Sequence, residues 1–244
     1  MVFTYNFAPA SNYFQTNEQI ATSGLLLYIN TKDSTSYNGS GSIVNDLSGN
    51  KNNMTISNAT WDSINKVFNF NGSNSYIYSP NLWTQLTTGN SVYSQTQEVW
   101  YKSSSNGVLV NEANNLALNS WHDTQLEIVS GQVKGRYWNM PSPYLTLGTN
   151  SGSNWNYACI RYNGTTNKID ANFNGTFISQ QNLIRLLSPT DPVEIYYILG
   201  IGDTGTNMGS GLYFNGQIAI YRTYKRALTD AEILTNYNSQ KSLF

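Results

Sequence analysis

Tyr213-Phe-Asn-Gly-Gln-Ile-Ala-Ile-Tyr-Arg-Thr-Tyr-Lys-Arg-Ala-Leu-Thr-Asp-Ala-Glu-Ile-Leu-Thr-Asn-Tyr237 is the stretch that decides the fold. Asn215-Gly216 predicts a turn, because both residues tolerate positive φ. Ile218, Ile220 and Arg222 then alternate with Ala219, Tyr221 and Thr223, the period of a strand with two distinct faces. Thr229 and Glu232 stand in a T-x-x-E capping box, which starts a short helix directly after that strand.

Working outward, the same strand-and-turn grammar fills the chain. Leu25-Leu-Leu-Tyr-Ile reads as a buried strand after Gly24, and Val67-Phe-Asn-Phe-Asn-Gly-Ser-Asn-Ser-Tyr-Ile-Tyr as a hairpin around Asn71-Gly72. Gln97-Glu-Val-Trp-Tyr-Lys and Gly107-Val-Leu-Val-Asn are further strands, and Gln125 to Trp138 forms a hairpin turning at Gly131. Trp155 to Tyr162 and Lys168 to Phe173 flank Asn163-Gly-Thr-Thr-Asn. Two short segments read as helix, Gln180 to Leu187 and Thr229 to Asn238. Strands at this spacing mean a sandwich or barrel. The turn clusters separate single strands rather than blocks, so residues 23–244 form one domain behind a polar arm, residues 1–22, that carries Pro9.

Charged residues make up only 11 % of the 244, well below the usual quarter or so. Asn supplies much of the polarity, occurring 34 times, six of them before Gly. A formal net charge of −1 with scattered Lys and Arg offers no footprint for nucleic acid. No run approaches the ~18 apolar residues of a membrane span, so no membrane insertion is expected. The first residues lack the charged and apolar regions of a signal peptide. The lone Cys159 excludes an intrachain disulfide and reads as a buried, inert thiol.

Several landmarks resemble the laminin-G-like family of concanavalin A-type jelly rolls. Gly24-Leu-Leu-Leu-Tyr-Ile followed by Asp46-Leu-Ser-Gly-Asn-Lys-Asn-Asn is similar to that family's opening strand and loop. Phe68-Asn-Phe-Asn-Gly-Ser-Asn-Ser-Tyr-Ile, Trp155-Asn-Tyr-Ala-Cys-Ile-Arg-Tyr-Asn-Gly-Thr-Thr, Asp170-Ala-Asn-Phe-Asn-Gly and Phe214-Asn-Gly-Gln-Ile-Ala-Ile-Tyr complete the match, over about residues 24–240. The resemblance implies an all-β, antiparallel β-sandwich jelly roll with a short C-terminal helix. Asn236-Tyr-Asn-Ser-Gln-Lys-Ser-Leu-Phe also resembles members encoded by large viruses and tailed phages, which are commonly virion surface components.

The family's glucanases carry E-x-D-x(x)-E on one strand, and no such strand is present here; Glu98, Glu127 and Asp170 each stand apart. His122, in Trp121-His-Asp, has no nucleophile motif beside it. The chain is therefore expected not to be an enzyme. The resemblance also implies a possible Ca2+ site, for which Asp46 and Asp203 are the best donors. Asp46 has a competing role as a turn acid bonding the amides of its own loop. Sugar binding needs exposed rings and planar polar side chains. Trp121, Trp138, Tyr144 and Trp83, near strand ends or loops, are the candidate rings, while Trp100 and Trp155 fall on strand patterns and read as core.

Two functions fit this reading, with a glycoside hydrolase a distant third. One is a non-enzymatic virion structural protein, a capsid decoration or fibre-associated subunit assembled in the host cytoplasm. Its partners would be other virion or capsid proteins, its own copies, and host glycans. The other is a carbohydrate-binding lectin module free of any virion.

Overall fold

The computed structural model describes residues 19–88, 93–117, 122–137, 144–182, 194–202 and 213–244. Two antiparallel sheets stack face to face. The first runs β14 (Thr176–Asn182), β13 (Lys168–Phe173), β12 (Asn156–Asn163), β7 (Gln95–Lys102), β16 (Asn215–Tyr224), β5 (Val67–Asn71) and β4 (Thr60–Asp62), with β1 (Leu25–Asn30) also pairing β16. The second runs β11 (Leu145–Thr149), β10 (Gln132–Gly135), β9 (His122–Val129), β8 (Gly107–Ala113), β15 (Tyr196–Leu199), β6 (Tyr76–Tyr78), β3 (Met54–Ser57) and β2 (Ile43–Val44). This is the antiparallel sandwich expected. Its short C-terminal helix, α2 (Asp230–Gln240), follows an additional one-turn helix, α1 (Trp83–Thr87).

Four local expectations are corrected. Asn71-Gly72 does not close a hairpin: β5 and β6 lie in different sheets. The Asn71 side chain instead accepts from the amides of Ser73 and Asn74 and from the Ser75 hydroxyl, bending the chain across the sandwich edge. Asn215-Gly216 is no turn either; it opens β16 opposite Asn71 and Phe70. Glycine is needed there for close approach, since a Cβ would sit 2.5 Å from the Lys102 carbonyl oxygen. The helical reading of Gln180 to Leu187 fails at its start, where Gln181 and Asn182 pair with Ile169 and Lys168 as strand; residues 183–187 lie outside the described residues. Ladder hydrogen bonds along a ready partner strand override a local helical pattern.

The fourth correction matters most. Strict alternation would place Ile218, Ile220 and Arg222 on one face. The register of β16 against β7 shifts between Ile218 and Ile220, a bulge that reverses which face later residues occupy. Ile218 therefore packs between the sheets with Val99, Tyr101 and Leu126. Ile220 turns outward, joining Tyr28, Trp100, Tyr157 and Cys159 under α2. Each such side chain, fully buried, contributes about 1.5–3 kcal/mol. Cys159 is buried as expected, and that burial, with Glu98 close by, holds its thiol pKa well above the ordinary value.

Candidate functional site

The outer face of the first sheet is built in rows. Asn172, Cys159, Glu98, Arg222 and Tyr28 are successive cross-strand neighbours on β13, β12, β7, β16 and β1. Glu98 and Arg222 are both fully buried and paired at 2.7 Å. The Glu98 carboxylate also accepts from the Tyr157 hydroxyl at 2.8 Å and from Asn236 Nδ2 at 2.9 and 3.0 Å. Arg222 Nη1 donates to Gln240 Oε1 at 2.7 Å, and Gln240 Nε2 donates to the Tyr28 hydroxyl at 2.9 Å. Burial alone would lower the Arg222 pKa, but Glu98 together with Tyr224, Tyr28 and Tyr157 outweighs it and holds the guanidinium above its ordinary value.

That ion pair explains how a polar helix docks. α2 starts at the expected capping box: Thr229 Oγ1 accepts from the Glu232 amide while Glu232 accepts from the Thr229 amide. Its buried positions are Ile233, Asn236 and Gln240, and two of the three are amides that pair with the buried charges. The chain just before β1 joins this arrangement. The Ala21 amide donates to Asn236 Oδ1 at 2.8 Å, and the Tyr224 hydroxyl donates to the Ala21 carbonyl at 3.0 Å.

Beyond the C-terminal end of α2 an open groove of about 600 Å³ forms. Its floor is aromatic. Phe244 lies 4.7 Å from the Trp100 ring and 4.5 Å from the Trp155 ring, and Tyr237 stacks on Trp100 at 5.6 Å and 4°. Its rim is polar, formed by Lys102, Ser153, Asn154, Asn174 and Lys241. Trp100 is buried, and among the described residues its indole Nε1 has no hydrogen-bond partner. The Asn174-Gly175 turn is fixed beside Tyr237, where a Cβ on Gly175 would approach to 2.8 Å. Asn174 Oδ1 accepts from the Tyr157 amide at 2.7 Å, and Asn156 Nδ2 ties down the carbonyls of Ser151 and Asn154. The groove walls are thus held by backbone-directed bonds rather than left as free loops.

The rings singled out in the sequence are not the ones that gather here. Trp83 begins α1 and packs partly against the inter-sheet core; Tyr144 sits 5.6 Å from the Arg136 guanidinium. Neither lines the groove. Trp121, Trp138 and Asp203 lie outside the described residues. Trp155, read as core, is half-buried and faces the groove, because it precedes β12 rather than lying within it. Asp46 takes the turn-acid role: its oxygens accept from the amides of Tyr28, Ser48 and Asn52 and from the Ser48 hydroxyl, at 2.6–2.9 Å. Among the described residues no three His, Cys, Asp or Glu side chains gather as metal ligands.

No family model matches the chain, and no curated protein matches it. Solved structures do. Trypanosoma rangeli sialidase in complex with sialic acid is similar over 92 % of this chain and 34 % of its own, with a TM-score of 0.65 and 15 % identity. The binding domain of botulinum neurotoxin serotype D/C VPI 5993 is similar over 91 % of this chain and 53 % of its own, with a TM-score of 0.63 and 13 % identity. The receptor binding domain of the botulinum neurotoxin C/D mosaic serotype gives a TM-score of 0.62 at 14 % identity, over 90 % and 52 % of the two chains. The likeness is one of fold. This chain spans about a third of the sialidase and about half of the neurotoxin domains. The expectation that the chain is not an enzyme is corrected by these neighbours: sialidases are enzymes, though they match over about a third of their length at 15 % identity, and a binding domain shares the same fold.

Proposed function

We propose that this domain is a carbohydrate-binding module and that the groove at the C-terminal end of α2 is its binding site. The observation that carries the reading is the floor of Trp100, Trp155, Tyr237 and Phe244 beneath a polar rim that includes the amides of Asn154 and Asn174. Flat rings stack on the C–H faces of a pyranose, while Asn side chains bond its hydroxyls. About 600 Å³ suits one or two sugar rings. The fold neighbours support it: one is a sialidase in complex with sialic acid, others are a neurotoxin binding domain and a neurotoxin receptor binding domain. Placement on a virion, as a capsid decoration or fibre-associated subunit, is a finer form of this proposal and rests on the resemblance of residues 236–244 to viral members.

A glycan array followed by titration calorimetry tests it. Wild type is expected to bind a defined sugar, and Trp155→Ala to weaken it tenfold or more, the equivalent of about 1.4 kcal/mol. Trp83→Ala and Tyr144→Ala should leave binding unchanged. An array without hits, or full affinity in Trp155→Ala, overturns the assignment.

A further inference from the structure

The groove carries charge as well as rings. Lys102 and Lys241 stand on its rim, and no Asp or Glu lines it. Lys32 is not in the lining but stands close to it, its ammonium 5.1 Å from the Phe244 ring and 5.8 Å from the Trp155 ring. Among the described residues none of the three forms an ion pair. Lys241 Nζ donates to the neutral Asn238 side chain, and Lys32 Nζ to the Asn65 carbonyl. Over the chain acids outnumber bases by 14 to 13, so this excess of cation is local rather than an average property.

Arg161, Arg222 and Arg226 all meet carboxylates within 2.8 Å. Lys102 and Lys241 instead stand beside a ready stacking floor whose lining holds no carboxylate. Resting on the carbohydrate reading of the groove, we infer that its ligand is an anionic sugar, one bearing a carboxylate or sulfate. The ring stacks on Trp155 and Phe244, and the anion supplies the countercharge for Lys102 and Lys241. The C-terminal dipole of α2 opposes an anion by about half a charge, confined to the last turn. Lys241, in the residue after that turn, offsets it, which leaves Lys102 and the more distant Lys32 as net attraction. Burial, with Lys66 adding to it and Asp62 partly opposing it, already lowers the Lys32 pKa, so an incoming anion also relieves a cation held partly out of water.

The test compares a galacturonic-acid trisaccharide, its carboxyl-reduced galactose counterpart and a sulfated galactose trisaccharide, each titrated against the full chain. The wild type is expected to bind at least one anionic form tenfold or more tighter than the neutral form. That preference should shrink severalfold in Lys102→Gln and Lys241→Gln and weaken between 50 and 500 mM salt, roughly as surface charge is screened. Equal affinity for the neutral and both anionic forms, lost together in Trp155→Ala, overturns the anion inference and leaves the sugar site standing. Anion binding that survives Trp155→Ala but fails in the lysine variants is plain ion exchange, and sinks both. Thermal melts of each variant separate lost binding from lost folding.

Discussion

Two hollows flank α2 on the same sheet face, and they differ in what their polar groups already hold. The hollow at the N-terminal end, about 330 Å³, is lined by Arg161, Asp170, Leu228, Thr229 and Asp230 among others. Its arginine and its two acids are already paired. Arg161 is bidentate to Asp170 at 2.7 Å, meets Asp230 at 2.8 Å and donates to the Leu228 carbonyl at 2.6 Å. The groove at the other end has rings stacked and two lysines with no carboxylate in its lining. A volume by itself says little; what distinguishes a joint from a site is whether its donors and charges are already satisfied.

The contrast can be broken most forcefully at the buried pair that both hollows flank. Arg222→Met strands the Glu98 carboxylate in the interior and should cost about 3–5 kcal/mol in urea unfolding. Adding Glu98→Gln should restore part of it, and a double variant no better than the single would mean the pair does not act as a unit. Glu127 offers the opposite case, a buried carboxyl with Oε1 lacking a hydrogen-bond partner among the described residues. Burial, opposed by Arg136 and Lys134, pushes its pKa up to about 7. The folded form holds its proton where the unfolded chain has released it, so stability falls as pH rises from about 4.5 to 7. Glu127→Gln should therefore stabilise the protein at pH 8, on the order of 3 kcal/mol, and change little at pH 4. A gain of equal size at both pH values would refute the shifted carboxyl.

Smaller effects sharpen the comparison. Arg161→Ala empties the paired hollow and should cost about 2–3 kcal/mol while leaving groove affinity untouched; a shared loss would show the two hollows are coupled through α2. The smallest concerns Glu232, whose bonds to Arg226 and to Thr229 hold its pKa down at about 2. A depressed acid stabilises above its unfolded pKa and loses that contribution as pH falls through the folded one. Unfolding curves of Glu232→Gln should accordingly converge with wild type between about pH 4.5 and 2, and separate modestly above.

The sandwich, the capping box of α2 and the burial of Cys159 were legible because each depends on short-range patterns. The Asn71 corner and the Gly216 approach were not: Asn-Gly carries the same letters in a hairpin and in a close-packed strand, and only the partner strand tells them apart. The groove was harder still. Trp155 looked like a strand residue because it sits one position before β12, and nothing in the pattern of α2 marks the amides Asn236 and Gln240 as buried. Their burial follows from Glu98 and Arg222, over a hundred residues apart, meeting on one face after the bulge near Ala219. A Glu inside a strand, Glu98 between Gln97 and Val99, was the one available hint.

The position of β16 between β7 on one side and β1 and β5 on the other fixes the order in which the molecule can be made. As the polypeptide is synthesised, β1, β5 and β7 all emerge long before Asn215 to Tyr224, and none of them can complete its place in the sheet until that segment arrives. The Tyr224 hydroxyl bond to Ala21 closes a loop of 203 residues in sequence separation. Such long-range closure makes for slow acquisition of structure, with open strand edges waiting in the meantime. The nascent protein thus spends most of its synthesis as a set of half-sheets in need of a single late keystone.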